Sequence, residues 1–193
     1  MTDRGSVIGE TRPVAHHRRI VGTSRTRHAP IVLFGIQFTL SLVIYSLVAA
    51  WYVAPRLARL PRDVALAPLL WVHAFRVVGG TILAPGAVDA AVPTDFRTMV
   101  GLGDLATAAL AIVALVALRL QLPARIALVW LCVGVGFVDT LNAVIQSVRD
   151  DVFTLALGVN WLIVAVYVPS LLVSTVLIVQ RLVATEGSAG EPA

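Results

Sequence analysis

Four ionisable residues, His73, Arg76, Asp104 and Asp139, stand inside apolar runs where a charge is expensive. At the centre of a bilayer a charged side chain costs from about 2.5 to beyond 10 kcal/mol unless it is paired, hydrated or able to reach the interface. Arginine is a permanent cation with a fork of donors. Aspartate accepts hydrogen bonds and exchanges protons, and histidine donates, accepts or titrates near neutral pH. Together these types can form an ion pair, hold a polar ligand, relay protons or carry out acid–base chemistry. For that last chemistry the candidate catalytic residues are Asp104 and Asp139. One arginine against two aspartates leaves a formal excess of negative charge. Either one Asp is protonated, His73 carries a proton, or a cation or water occupies the site.

The spacing of the polar residues is helical. His73, Arg76 and Gly80 follow i, i+3, i+7, as do Asp139, Asn142 and Gln146; Gly101, Asp104 and Thr107 follow i, i+3, i+6. Gln37, Ser41 and Tyr45 recur every four residues, and Asn160, Tyr167, Ser170 and Ser174 fall near one further face. Stripes of this kind on otherwise apolar helices are expected to turn inward together. The candidate binding cluster is therefore His73, Arg76, Asp104, Asp139, Asn142, Gln146, Asn160 and Tyr167.

The elements that must position these residues are membrane spans. Of 193 residues 58% are hydrophobic and only 13% charged, with a mean hydropathy of +0.88. Soluble domains are about a quarter charged. Five apolar runs are predicted as transmembrane helices, at 31–53, 66–84, 98–118, 124–147 and 159–183. The fold class is all-α, a polytopic membrane protein with five helices in an up-down bundle, since short connections make consecutive helices antiparallel neighbours. Pro169, inside the fifth run, predicts a local kink. In this bundle the ends of the second and fourth helices share a face with the starts of the third and fifth. Counted from those ends at the helical rise, Arg76, Asp104 and Asp139 all fall roughly 9–12 Å inside one interface. His73 lies a turn deeper and Asn160 nearer the surface.

Residues 1–30 read as a disordered basic tail and 184–193 as a flexible C-terminal tail. All 15 basic residues are arginine, and the first 30 residues hold six of them. Such a tail is expected to meet anionic lipid headgroups on the cytoplasmic side. An N-inside orientation puts eight arginines in the cytoplasm against six outside. The expected location is the bacterial inner membrane. Trp51, Trp71 and Trp130 lie toward one end of the bundle, as an interfacial belt would.

Several chemistries have no support. Cys132 is alone, so no intramolecular disulfide or cysteine metal site is expected. Only one histidine, His73, lies in a span, which argues against bis-histidine haem and against a clustered zinc site. No nucleotide-binding or hydrolase motif is present. No cofactor, no metal and no nucleic-acid partner is expected; the expected partners are the bilayer and a hydrophobic or small-molecule ligand.

The stretch APRLARLPRDVALAPLLWVHAFRVVGGTILAPGAV, followed by GLGDLATAALAIVALVAL, resembles a family of small bacterial integral membrane proteins with no established function. The positions that carry the resemblance are His73, Phe75, Arg76, Pro85, Gly86, Gly103, Asp104 and Leu105. Asp139 and Asn142 match more loosely, and Val168, Pro169, Leu171 and Leu172 give the family's Val-Pro-x-Leu-Leu pattern. The chain departs at Ser174-Thr175, where the family commonly has a histidine. The resemblance implies a five-helix architecture and supplies no reaction. The reading to test is a non-enzymatic membrane protein that binds or passes a small or lipid-like ligand at the buried cluster. The alternatives are an acid–base cyclase or isomerase acting on an isoprenoid-like substrate, and a structural subunit of a membrane complex.

Overall fold

The computed structural model describes residues 25–184. Five helices carry the apolar runs: α1 (Pro30–Ala58), α2 (Arg62–Leu83), α3 (Thr94–Arg119), α4 (Arg125–Arg149) and α5 (Asn160–Val183). Each is long and apolar enough to cross a membrane, and the described residues contain no strand. Residues 1–24 and 185–193 lie outside the described residues, with most of both predicted tails. The helical backbone leading into α1 begins at Arg25.

Two helices start four residues earlier than hydropathy suggests, α2 at Arg62 and α3 at Thr94. In both, a proline with extended backbone stands just before the first turn, Pro61 or Pro93, and an aspartate, Asp63 or Asp95, sits within it. The proline fixes its own φ and the aspartate complements the helix dipole. A charged first turn looks like loop to a hydropathy count.

The helices are not uniform. Ala49–Val53 in α1 and Ile163–Tyr167 in α5 are π-helical turns, and Pro55 and Pro169 follow them closely. Proline removes a donor and clashes with the preceding turn, and widening that turn accommodates it. The C-terminal part of α2, Phe75–Leu83, is 3-10 helix. It contains Gly79 and Gly80, poor α-helix formers. Arg76 is thus carried on a tighter, more steeply rising segment than an ordinary α-helix.

α2 packs on α3 and α5, α3 packs on α4, and α1 lies chiefly against α5. Apolar side chains fill both ends of the bundle. One cluster holds Leu66, Leu70, Val129, Cys132, Ile178 and Leu182. The other, at the opposite end, holds Ile82, Val92, Phe96, Val152 and Leu157 and takes in residues of both connecting loops. Arg125 Nε bonds Asp63 Oδ2 at 2.8 Å, tying the starts of α2 and α4. Trp51, Trp71 and Trp130 are all exposed on the outer surface.

The loop joining α4 to α5 docks on the loop joining α2 to α3 through Asp89 N–H donating to Ala156 O at 2.8 Å. Gly158 makes this docking possible. Its φ is +54°, and a Cβ there would meet Ala87 O at 2.7 Å. Gly158→Ala is expected to destabilise the protein by about 1–3 kcal/mol, read as a lowered Tm of the purified protein. Gly35→Ala, in the interior of α1 where a Cβ meets nothing within 4 Å, is the contrasting control and should hold or slightly raise Tm.

Candidate functional site

Arg76 is 3% exposed, and each of its three guanidinium nitrogens is engaged. Nε donates to Asp104 Oδ1 at 2.7 Å. Nη2 lies 2.7 Å from that same oxygen and donates to Asp139 Oδ2 at 2.5 Å. Nη1 donates to the backbone carbonyl of Gly136 at 3.0 Å and to Thr140 Oγ1 at 3.2 Å. Three helices, α2, α3 and α4, therefore meet on one cation. Charge-assisted bonds of this kind are about twice as strong as neutral ones, and the alternative for Arg76 is an unpaired charge away from water.

The charged groups fit because glycines stand opposite them. A Cβ on Gly79 would overlap the Asp104 carboxylate, and one on Gly103 would overlap that of Asp139. A Cβ on Gly136 would press on Thr107 and on Arg76 Nη1 at 3.1 Å. Small residues at helix contacts let backbones approach; here the space goes to side chains that bond Arg76. Gly103→Ala is accordingly expected to push Asp139 off Arg76. The measurement is a lowered Tm, with loss of at least about 1–3 kcal/mol, the cost of overpacking or of a disrupted buried bond.

A cavity of about 330 Å³ adjoins this cluster. Arg76, Asp104, Asp139 and Thr140 form its polar wall, and Asn160 lies on the wall as well. Apart from Ser147 and Tyr167 the remaining lining is apolar and comes from all five helices and the 152–157 segment, with Phe34, Phe96, Val144 and Leu171 representative. Val144 and Val148 line it too and are 46% and 66% exposed, so the cavity reaches the bundle's outer apolar surface. The aspartates are less enclosed than the arginine: the side chains of Asp104 and Asp139 are 15% and 12% exposed, that of Arg76 4%.

Residues 33–183, most of the chain and all five helices, match a protein family described as a domain of unknown function, DUF8737. The chain belongs to the DUF8737 family. No curated protein and no solved structure matches it.

Within this DUF8737 chain the other residues singled out by spacing divide among separate contacts. Asn160 Oδ1 accepts from Thr81 Oγ1 at 3.1 Å, while its Nδ2 is buried without a hydrogen-bond partner among the described residues. His73 is buried on the side of α2 toward α5, where Nε2 lies 3.1 Å from Ser174 Oγ; its Nδ1 has no hydrogen-bond partner among the described residues, and His73 does not line the cavity. Tyr167, which does line it, donates its hydroxyl proton to the carbonyl of Val72. Asn142 and Gln146 turn away from Arg76. Both donate to Met99 Sδ, at 2.8 and 2.7 Å, and Gln146 also donates to Asn142 Oδ1.

Thr140 and the Gly136 carbonyl, both bonded to Arg76, fall outside the polar stripes that helical spacing picks out. Thr140 Oγ1 also donates to Gly136 O at 2.8 Å, so the two act as one acceptor unit for Arg76. The signal was present: a glycine and a threonine four apart on the helix that carries Asp139. Outside those stripes too is the aromatic seal at the cavity's loop end. There Phe34 stacks on Phe153 at 4.4 Å and meets Trp161 edge-on at 5.5 Å, and Trp161 Nε1–H donates to Gln37 Oε1 at 2.6 Å. Among the described residues no group of three or more His, Cys, Asp or Glu side chains is placed to hold a metal ion.

Proposed function

We propose that the protein is a multi-pass integral membrane protein that binds, or passes, a small ligand with an apolar body in the cavity beside Arg76, Asp104 and Asp139. The observation that carries this reading is the cavity itself. Most of its wall is apolar, and a compact set of polar groups converges on one side, the usual anatomy of a small-molecule site. Membrane insertion is supported by five helices of spanning length whose outward faces carry large exposed apolar side chains such as Leu40, Ile44, Leu131 and Val138. A soluble monomer rarely exposes so extended an apolar surface. The orientation consistent with an arginine-rich start places the N-terminus in the cytoplasm, against anionic headgroups.

The test is mass spectrometry of small molecules that co-purify with the full-length protein, compared with Asp139→Asn. Asparagine keeps an oxygen for Arg76 but removes the charge from the cavity wall. The expected result is a molecule retained by the wild-type chain and lost from a variant of similar Tm. Equal retention by both, or none by the wild type, would overturn the reading.

A second reading, an acid–base enzyme of the cyclase or isomerase type, is favoured by one observation: both carboxylates that bond Arg76 also line the apolar cavity. Carboxyl groups so placed can give and take protons. Incubating the co-purified molecule with fresh protein distinguishes the readings, since cyclisation or isomerisation shifts its chromatographic retention without changing its mass.

A further inference from the structure

The cavity's polar wall restricts the charge of what it can hold. The only cation on that wall, among the described residues, is Arg76, and its three nitrogens are already taken by Asp104, Asp139, Gly136 O and Thr140. An anionic headgroup would find no free guanidinium N–H and would meet two carboxylates. Those carboxylates keep capacity. Their bonds to Arg76 use Asp104 Oδ1 and Asp139 Oδ2; Asp104 Oδ2 and Asp139 Oδ1 lie against the glycine backbone of Gly79 and Gly103, which occupies part of their surface but none of their hydrogen-bond capacity. A carboxylate pair accepts about four hydrogen bonds per group, and a formal charge of minus one on the wall favours a cation in an apolar, low-dielectric space.

Asn160 supplies an independent pointer. It is 4% exposed and lies on the cavity wall, and one polar atom of its amide, Nδ2, has no partner. A buried amide group without a partner costs about 1–3 kcal/mol, so its position is explained when an occupant of the cavity bonds it. Asn160 is held through Thr81, five residues along the 3-10 segment from Arg76. The Asp104 carboxylate lies against Gly79, two residues before Thr81, so at a rise of about 2 Å per residue Asn160 stands only about 4 Å beyond it along the axis. At about 30 Å³ per water-sized group, a cavity of about 330 Å³ takes roughly a dozen heavy atoms.

We infer that the cavity selects a cationic amphiphile: a protonated amine seated against Asp104 and Asp139, on a largely apolar body of about a dozen atoms that carries a hydrogen-bond acceptor for Asn160 Nδ2. The inference rests on the cavity being a ligand site. It adds the sign of the ligand's charge and the groups that read it.

The experiment uses three probes with the same saturated chain, dodecylamine, dodecanol and dodecanoate, added to the full-length protein in nanodiscs of neutral lipid. Bound probe is counted by native mass spectrometry, and non-specific partitioning is subtracted with the cavity-filled variant Ala143→Trp. The amine should bind at least about tenfold more tightly than the alcohol, as expected for a charge-assisted bond in place of a neutral one, and the acid should not bind. Asp139→Asn should remove most of the amine's advantage, and Asp139→Glu, which keeps the charge, should restore part of it. If Asp139→Asn does not fold, the wild-type ranking of the three probes still decides. Equal binding of amine and alcohol, or preference for the acid, overturns the inference while leaving a ligand site. If none of the three exceeds the filled variant, both the inference and the ligand site fall together.

Discussion

Arg76→Met is expected to leave little folded protein. The substitution keeps the length of the side chain and removes every donor from it. Asp104 and Asp139 then face each other across the cavity wall with no cation between them, and Gly136 O loses a charged donor. Breaking a buried pair by deleting one partner costs about 3–5 kcal/mol, and marginal stabilities of about 5–15 kcal/mol absorb that poorly. The readout is the yield of monodisperse protein in detergent and, where enough survives, its Tm. The companion is the triple variant Arg76→Met, Asp104→Leu, Asp139→Leu. Leucine branches where aspartate branches, so the glycine-lined spaces opposite Asp104 and Asp139 stay filled. Replacing a whole buried ion cluster with apolar side chains is often neutral or stabilising. The triple variant is therefore expected to recover most of the yield lost in the single one, with no ligand retained. A single variant as stable as the wild type would show that Arg76 does not hold these helices together. A triple variant as poor as the single one would show that the contacts matter for shape and not for charge.

The contrast separates what a linear sequence can disclose from what it cannot. A charge in an apolar run is conspicuous, and counting turns from helix ends brings Arg76, Asp104 and Asp139 to one level; the distances put both carboxylates in contact with the guanidinium. The count treats every helix as uniform, however. It cannot see that α2 tightens into 3-10 helix from Phe75, or that α5 widens ahead of Pro169. It also assigns whole stripes to one destination. Asn142 and Gln146 share a stripe with Asp139, yet they bond Met99, a residue that any hydropathy scale counts as plain apolar filling. The Gly136 carbonyl is invisible for another reason, since every residue has one and only packing decides which is used. Least legible is the cavity. Its walls are the same valines, leucines and phenylalanines that pack the rest of the bundle, and a void is a property of how they fail to meet.

Ala143→Trp is expected to abolish ligand retention while the protein stays folded. Ala143 lines the cavity on α4, one turn past Asp139, and is half-buried. An indole there projects into the void of about 330 Å³ and need not displace close-packed neighbours. Overpacking a filled core costs about 1–3 kcal/mol; filling a void instead removes a cavity penalty, so Tm is expected to hold or rise. Steric exclusion is close to all-or-none, and the bound fraction should fall by at least about tenfold, equivalent to 1.4 kcal/mol of binding free energy or more. Ala143→Leu occupies less of the same space and should give an intermediate loss. Ala109→Trp is the control, because Ala109 is exposed on α3 and does not line the cavity; it should leave retention unchanged. The series reads size at one position against an untouched ionic cluster, so it separates occupancy of the cavity from the stability that Arg76 provides. If Ala143→Trp keeps the ligand at the level of Ala109→Trp, the molecule that co-purifies sits elsewhere on the protein, and the carboxylates beside Arg76 have only the helices to hold.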